Sequence, residues 1–249
     1  MNNSKKKVIA VDLDGTLLHP EPEAISVLGA SGYRYLSKTA ADILAEISRI
    51  MPVVIATGRN AKSVQKLVCQ LDHVNFCGFV MENGCVSKIC LDDDNGGSGE
   101  DEWDEVVSML PDWKRLVNYE KILGLIIPSH VEKPKKILLD ALSCKGKTGY
   151  LYQENHKIFV CSSIPSKLRG ISDLGYDPFI VIGDEINDLD LLRAGSYPAT
   201  LTTAHKDVKQ LVRKRNGYCS PLVSHAAAED LLEWAGRIIL ETGNSKLET

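Results

Sequence analysis

The feature that most constrains the fold of this chain is the alternation of short, unbroken apolar runs with stretches of helical periodicity. Four runs have the length and composition of buried strands: Lys7–Val11, Val53–Ala56, Gly78–Met81 and Phe179–Ile182. Apolar residues recur every three or four positions over Ala40–Ile50, Ala61–Leu71 and Leu189–Ala194, which predicts helices there. Because continuous apolar strands must be covered on both faces, the pattern predicts a Rossmann-like α/β core with a doubly wound parallel sheet.

The middle of the chain departs from this alternation. Residues 92–105 are acidic and rich in glycine, which favours an exposed loop. The pattern then predicts a helix over Glu102–Leu110, two strands, a second helix with Pro134 in its first turn, and two more strands. This αββαββ order predicts a small α+β domain over residues 90–162, inserted into a core formed by residues 1–89 and 163–249.

Composition and charge exclude several classes of protein. The chain has 249 residues and a formal net charge of −4, which argues against a general nucleic-acid coat. No apolar run reaches the roughly 20 residues of a membrane span, and two aspartates interrupt the apolar stretch after the N-terminal lysines. The seven cysteines include no C-x-x-C pair. We therefore expect a cytoplasmic protein with reduced thiols that binds neither membrane nor nucleic acid.

Two carboxylates directly follow the first predicted strand, in the segment DLDGT. Asp12 and Asp14 are two residues apart, so in an extended segment they point the same way while Leu13 turns away. Ligands of open parallel sheets gather at this end of the strands. Two carboxylates this close repel each other, so we expect one pKa to rise, which suits a pair that divides anion and proton-carrier roles.

A second acidic segment, GDEIND, follows the last predicted strand. Asp184 and Asp188 would join Asp12 and Asp14 at the same edge of the sheet, and so many hard oxygen ligands suggest Mg²⁺. The alternative is that each acidic pair only caps a turn or a helix, as Asp and Asn often do. The repetition of the pattern after two separate strands favours the metal site.

Other polar residues lie between these two segments. The hydroxyl of Thr57 and the backbone amide of Gly58 follow the second predicted strand and could hold a phosphoryl oxygen, although Thr57 could also cap the next helix. Lys167 alone would be read as a surface lysine. Arg59, Lys147 and His156 could contact a substrate, but such residues are more often simply exposed to solvent.

Together these segments resemble the four motifs of the haloacid dehalogenase (HAD) phosphatase superfamily. They read VDLDGTLL, ATGRN, IPSKLRG around Lys167, and IGDEINDLDLL. An insertion between the second and third motifs is where this superfamily carries a cap of the C2 type. The αββαββ order is similar to the C2B cap of the Cof-like, sucrose-phosphate phosphatase and mannosyl-3-phosphoglycerate phosphatase branch, which also includes phosphomannomutases. The segment Glu82-Asn83-Gly84 is similar to that branch as well.

The resemblance implies phosphoryl transfer through an aspartyl-phosphate. Asp12 would be the nucleophile, and Asp14 would protonate the leaving oxygen and then activate water. Thr57, Gly58, Lys167 and Asn187 would bind the phosphoryl group. The implied cofactor is Mg²⁺, and its ligands would be the Asp12 side chain, the Asp14 carbonyl, Asp184 and, directly or through water, Asp188.

The family resemblance also implies a substrate class, which is a small phosphorylated metabolite such as a sugar phosphate or a phosphoglycerate derivative. Two alternatives remain open at this point. A phosphosugar mutase would pass the phosphoryl group to a sugar, and a noncatalytic protein would only bind a phosphorylated ligand. The triplet Gly146-Lys147-Thr148 does not complete a P-loop, because the first glycine of that motif would fall at Ala141.

Overall fold

Parallel strands with fully buried ends form the central sheet of this protein. The computed structural model describes residues 5–29, 32–91, 100–154 and 156–244. The chain divides into two compact units, one of residues 1–59, 63–91 and 166–249 and the other of residues 60–62 and 92–165. Asp12, Thr57, Lys167 and Asp184 belong to the first unit.

The described part of the first unit contains a seven-stranded sheet in the order β13-β12-β11-β1-β4-β5-β6. Its strands are β1 (Lys6–Val11), β4 (Val53–Ala56), β5 (Phe76–Met81), β6 (Val86–Lys88), β11 (Tyr176–Ile182), β12 (Tyr197–Leu201) and β13 (Tyr218–Ser220). Six strands pair in parallel, and β6 pairs with β5 in the antiparallel direction. The predicted parallel-rich α/β core is therefore confirmed.

Helices cover this sheet and explain the burial of its strands. They are α1 (Lys38–Ile50), α2 (Ala61–Val68), α5 (Lys167–Asp173), α6 (Leu189–Ala194), α7 (Lys206–Lys214) and α8 (Ser224–Asn244). Helix α1 packs against α8, whereas α5, α6 and α7 pack in sequence against one another. All four residues of β4 are buried, as are the last four of β1, which requires cover on both faces of the sheet.

A hairpin that the sequence pattern did not indicate follows the DLDGT segment. It consists of β2 (Ile25–Gly29) and β3 (Gly32–Leu36), which pair in the antiparallel direction. Two backbone hydrogen bonds between His19 and Tyr35, of 3.0 and 2.8 Å, join β3 to the chain that leaves the first strand. The hairpin therefore begins and ends close to the carboxyl edge of the sheet.

The second unit has its own sheet and its own core. Its described elements are α3 (Glu100–Val107), β7 (Lys114–Leu116), β8 (Ile122–Ile126), α4 (Pro134–Cys144), β9 (Tyr150–Glu154) and β10 (Lys157–Cys161). The strands form an antiparallel sheet in the order β7-β8-β10-β9. Apolar side chains of both helices, such as Trp103 and Leu138, are buried against Leu123 and Ile158 of the sheet. The predicted αββαββ order is confirmed, while the assignment of this unit as a cap stays a prediction.

The helix predicted over Glu102–Leu110 is present, but it begins two residues earlier, within the stretch predicted as an acidic loop. Helix α3 begins at Glu100, and residues 92–99 lie outside the described ranges. The buried side chains of Trp103 and Val106 show why acidic composition was misleading here, since packing on one helix face outweighs the polarity of the other. Across the described residues, no helix is long and apolar enough to cross a bilayer.

Candidate active site

The register of three neighbouring strands places the predicted site residues at one edge of the sheet. Val11 at the end of β1 is paired with Ile182 of β11 on one side and with Ile55 of β4 on the other. The chain leaves these strands at the same level, into Asp12, into the acidic segment of Asp184, and into Thr57. Asp12 and Asp184, which are 172 positions apart in the chain, are thus brought together at the edge where parallel sheets bind ligands.

Lys167 is the centre of a buried cluster of charges. Its Nζ donates to Asp12 Oδ1 at 2.8 Å and to Asp188 Oδ1 at 2.6 Å, and its side chain is 1% exposed. Ser166, the N-cap of α5, donates its hydroxyl to Asp190 at 2.5 Å and so ties the start of that helix to α6. Lys167 is therefore a buried residue and not the surface lysine that composition alone would suggest.

Asp184 completes this cluster, and it is oriented from two sides. Thr16 donates its hydroxyl to Asp184 Oδ1 at 2.7 Å. Gly15 lies against Asp184 Oδ2 with a φ of 82°, so a side chain at position 15 would collide with the carboxylate. Asp188 is also fixed, because its Oδ2 accepts from the amides of Asp184 and Glu185 at 3.1 and 3.0 Å.

The cluster carries more negative charge than its single cation balances. Asp12, Asp184 and Asp188 each have a carboxylate oxygen within 4.8 Å of the others, and all three residues are buried. When all three carboxylates are ionised, the one ammonium of Lys167 leaves two negative charges uncompensated. Hard, buried oxygen donors with an excess of two charges fit a divalent cation such as Mg²⁺.

The excess of carboxylates in the cluster is also reflected in raised pKa values. Burial raises the pKa of Asp12 from 3.8 to about 7; Lys167 opposes this rise, and the charge of Asp188 adds to it. Burial also raises the pKa of Asp184 from 3.8 to about 9, with the charges of Asp12 and Asp188 as further causes. For Lys167, burial lowers the pKa, but the charges of Asp12 and Asp188 outweigh it and the net pKa is raised. One carboxyl pKa of the DLDGT pair rises as predicted, but burial is the main cause and Asp14 contributes least.

Asp14 does not join this cluster. Both of its carboxylate oxygens accept from Arg59, Oδ2 from Nε at 2.6 Å and Oδ1 from Nη2 at 2.7 Å. The Arg59 side chain is only 8% exposed, whereas the Asp14 side chain is 45% exposed. The expectation that Arg59 is exposed to solvent is thus wrong. Its side chain is buried and forms an ion pair with Asp14.

A hydrogen-bonded chain joins the Thr57 turn to the acidic segment. Asn187 donates its side-chain amide to Asn83 Oδ1 at 2.9 Å, and the Asn83 backbone amide donates to the Thr57 carbonyl at 3.0 Å. Asn83 adopts a left-handed φ of 56° in the turn after β5, a conformation that asparagine tolerates better than most residues. Asn187 Oδ1 is buried and has no partner among the described residues. Asn83 thus links Asn187 to the turn of Thr57 and Gly58.

Three backbone amides at this edge of the sheet are open. In the described ranges, the amides of Leu13, Asp14 and Gly58 donate to no other group, although their neighbours Asp12, Gly15 and Thr57 do. Backbone N–H groups without a protein partner can bind an anion. Sequence reasoning identified the Gly58 amide and missed the other two, because backbone donors leave no signal in residue type.

Two of the predicted substrate contacts lie in the second unit. Lys147 has its Nζ 5.5 Å from the centre of the Trp103 ring, and His156 is exposed. Sequence reasoning also missed the orienting role of Thr16 and the anchor between Ser166 and Asp190. Their only signal was their position, within or directly beside a motif segment.

Comparisons with known proteins agree with this geometry. A family model described as haloacid dehalogenase-like hydrolase matches residues 9–97. No curated protein sequence matches the chain.

Solved structures match over nearly the whole chain. A haloacid dehalogenase-like hydrolase from Bacteroides thetaiotaomicron is 14% identical with a TM-score of 0.66, covering 93% of this chain and 100% of its own. The sucrose-phosphatase of Synechocystis, solved with sucrose and phosphate, is 14% identical with a TM-score of 0.59, covering 94% and 98%. A HAD subclass IIB sugar phosphatase is 14% identical with a TM-score of 0.58, covering 92% and 99%.

At these identities the solved structures establish a shared fold, and the family model adds a sequence match over the segment that contains DLDGT, Thr57 and Arg59. The resemblance read from the four motifs is thereby confirmed. Over residues 9–97 the chain is thus similar to haloacid dehalogenase-like hydrolases, and it shares its fold with solved structures of that description.

Proposed function

We propose that this protein is a magnesium-dependent phosphomonoester hydrolase that works through an aspartyl-phosphate on Asp12. The observation that carries the proposal is the buried cluster in which Lys167 holds Asp12 at 2.8 Å beside Asp184 and Asp188. A carboxylate that splits a hydrolysis into two steps is a well-known strategy for such reactions. The ammonium of Lys167 supports this proposal, because it can offset part of the charge of Asp12.

Charge repulsion is the main physical obstacle to this reaction. A carboxylate about 4 Å from a phosphate anion is repelled by about 4 kcal/mol per charge pair at an effective dielectric constant near 20. That repulsion alone would slow the reaction roughly a thousandfold. When bound by Asp12, Asp184, Asp188 and the Asp14 carbonyl, Mg²⁺ would supply positive charge against the phosphoryl oxygens. Lys167 contributes a second positive charge from within the protein.

The reaction then follows in two balanced steps. The Asp12 carboxylate attacks phosphorus and the bond to the ester oxygen breaks, while Asp14 delivers a proton to that oxygen. In the second step Asp14 takes a proton from water, whose oxygen attacks phosphorus and releases phosphate and free Asp12. The open amides of Leu13, Asp14 and Gly58, with the Thr57 hydroxyl, would hold the transferring oxygens.

We propose a sugar phosphate or a phosphoglycerate derivative as the substrate. Two of the solved structures that share this fold are, by their descriptions, a sucrose-phosphatase and a sugar phosphatase. The second unit would act as a C2B-type cap that selects the leaving group. The alternative reaction is transfer of the phosphoryl group to a second sugar, and the identity of the product separates the two.

Steady-state phosphate release tests the proposal. We expect release from 4-nitrophenyl phosphate and from a panel of phosphorylated metabolites with Mg²⁺ present, and none after chelation. Asp12→Asn should abolish turnover, because an amide cannot form the acyl phosphate. The exposed Asp72→Asn serves as the matched control. Unchanged turnover by Asp12→Asn would refute the nucleophile, and a phosphorylated sugar product in place of free phosphate would identify a mutase.

A further inference from the structure

Arg59 joins three separate elements of the first unit through one buried guanidinium. It makes the bidentate pair with Asp14, donates from Nη1 to Ser63 Oγ on α2 at 2.8 Å, and donates from Nη1 to the Leu28 carbonyl on β2 at 3.4 Å. Packing around it is close, since a Cβ at Gly29 would lie 3.1 Å from Nη2. The hydrogen bonds to Ser63 and Leu28 thus fix the Arg59 side chain independently of its contact with Asp14.

Asp14 itself has few other restraints. It follows the end of β1 by three residues, next to a glycine with a positive φ, and nearly half of its side chain is exposed. An Asp carboxylate in such a loop has rotamer freedom, and a proton donor must sit within hydrogen-bond reach of the oxygen that it serves. The planar fork of an arginine fixes the position and the plane of a carboxylate together.

We infer that Arg59 is a positioning residue for proton transfer, which holds the Asp14 carboxylate where it can reach the leaving oxygen. This inference rests on the proposed function, in which Asp14 moves the proton. The bond to Leu28 adds that the hairpin of β2 and β3 supports the same carboxylate. Within the described residues, the Arg59 side chain forms hydrogen bonds with Asp14, Leu28 and Ser63. Of these partners, only Asp14 is a predicted metal ligand, and none belongs to the buried cluster.

The dependence of the rate on the leaving group distinguishes this role from a merely structural one. An alkyl phosphate has a poor leaving group that requires the proton, whereas 4-nitrophenolate leaves readily without it. We expect Arg59→Gln to lower kcat on an alkyl phosphate about 100-fold, the lower range for general acid catalysis. On 4-nitrophenyl phosphate kcat should fall less than about fivefold, and KM should change little on either substrate.

A double-mutant cycle tests whether Arg59 acts through Asp14. In an Asp14→Asn background, Arg59→Gln should lower the remaining alkyl phosphatase rate by no more than about twofold. Arg59→Lys should recover part of the lost rate, because an ammonium can still bind one carboxylate oxygen. Ser63→Ala, which loosens Arg59 without removing it, should show the same leaving-group selectivity with a smaller loss. Arg237→Gln is the matched control, since Arg237 lies in α8 with a side chain 54% exposed.

The outcomes separate this inference from the proposed function. Equal losses on the two esters, or additive losses in the double variant, would show that Arg59 only stabilises the fold and would overturn the inference alone. A wild-type protein that releases phosphate from neither ester would overturn the proposed function, and the inference with it. Thermal unfolding of each variant, measured alongside, identifies any substitution that acts through lost folding.

Discussion

Asp12 and Asp14 are separated by a single residue, yet their carboxylates lie in different electrostatic surroundings. Asp12 is buried in a cluster of three carboxylates that share one ammonium. Asp14 is half exposed, and a single guanidinium balances it one to one. The first region, the cluster of Asp12, Asp184, Asp188 and Lys167, has two negative charges in excess when its carboxylates are ionised. The second region, the pair of Asp14 and Arg59, has none.

This difference shows how one short segment can serve two chemical tasks. Burying unbalanced carboxylates is costly, and a protein can retain them only where a cation or protons compensate the charge. The cluster therefore has the character of a cation site. The carboxylate of the second region is accessible to a substrate or to water and is held in place by Arg59. The following predictions test whether the two regions are as distinct as their charges indicate.

The largest effect should come from removing the only cation of the cluster. Lys167→Met keeps the length of the side chain but leaves Asp12 and Asp188 without their hydrogen-bond donor. We expect kcat to fall about a thousandfold or more at saturating Mg²⁺, since the lost charge opposes a repulsion of about 4 kcal/mol. Unfolding in urea should show a loss of about 3 kcal/mol, as for other broken buried ion pairs.

Lys66→Met is the matched control, because Lys66 is exposed on α2 and should tolerate the change with less than twofold loss. A Lys167→Met variant within tenfold of the wild-type kcat would contradict the role of Lys167 as the counterion of the nucleophile. A normal stability with a large loss of kcat would instead show that protonation of Asp12 or Asp184 replaces the missing charge.

The residues of the cluster could be named from sequence because their signal is local. DLDGT and GDEIND each follow a strand of four or more apolar residues, and parallel register then places both segments at one edge. The aspartates in both segments supply carboxylate oxygens, which are ligands for a divalent cation, so residue type alone indicates how the segments could be linked. Lys167 is a harder case, since only the family order of motifs singled it out and only packing buries it.

The pair of Asp14 and Arg59 could not be predicted, because nothing in the spacing of 45 residues indicates contact. Arg59 follows Thr57 and Gly58, and composition alone makes an arginine in a turn look exposed. The hairpin of β2 and β3 was missed for a related reason. Its strands are short and carry polar residues such as Ser26 and Arg34, so the run of apolar residues that identified the core strands is absent.

An intermediate effect should appear in the pH dependence of the metal-free protein. The pKa values of Asp12 and Asp184 are raised from 3.8 to about 7 and about 9, so the folded state binds more protons than the unfolded state between these values. Stability from these groups is therefore full below pH 4 and is lost as the pH rises toward 9. Each group can cost at most about 1.4 kcal/mol per pH unit.

Urea unfolding of the chelated protein at pH 5.5 and pH 8.5 measures this loss. The buried His19 has a lowered pKa and works in the opposite direction, so the comparison is made against Asp184→Asn, which removes the higher-titrating carboxyl. The loss between the two pH values should be smaller in the variant. Mg²⁺ at 100 times its Kd should restore about 2.7 kcal/mol at pH 8.5. A chelated wild type that is equally stable at both values would show that the cluster does not hold excess charge.

The smallest effect should come from a substitution in the second region, Asp14→Asn, measured on the stabilisation by Mg²⁺. This measurement distinguishes the two regions most clearly. Asp14 lends the predicted metal site only its backbone carbonyl, because its carboxylate is held by Arg59. We therefore expect Asp14→Asn to leave the stabilisation by Mg²⁺ within about 0.5 kcal/mol of the wild-type value, the range usual for a change outside the binding site. Asp184→Asn should abolish it, because Asp184 is one of the three carboxylates of the cluster. The increase in unfolding temperature on addition of Mg²⁺, compared for the two variants under identical conditions, measures the difference. If Asp14→Asn also lost this increase, the Asp14 carboxylate would have to leave Arg59 and join the metal, and the two regions would function as one.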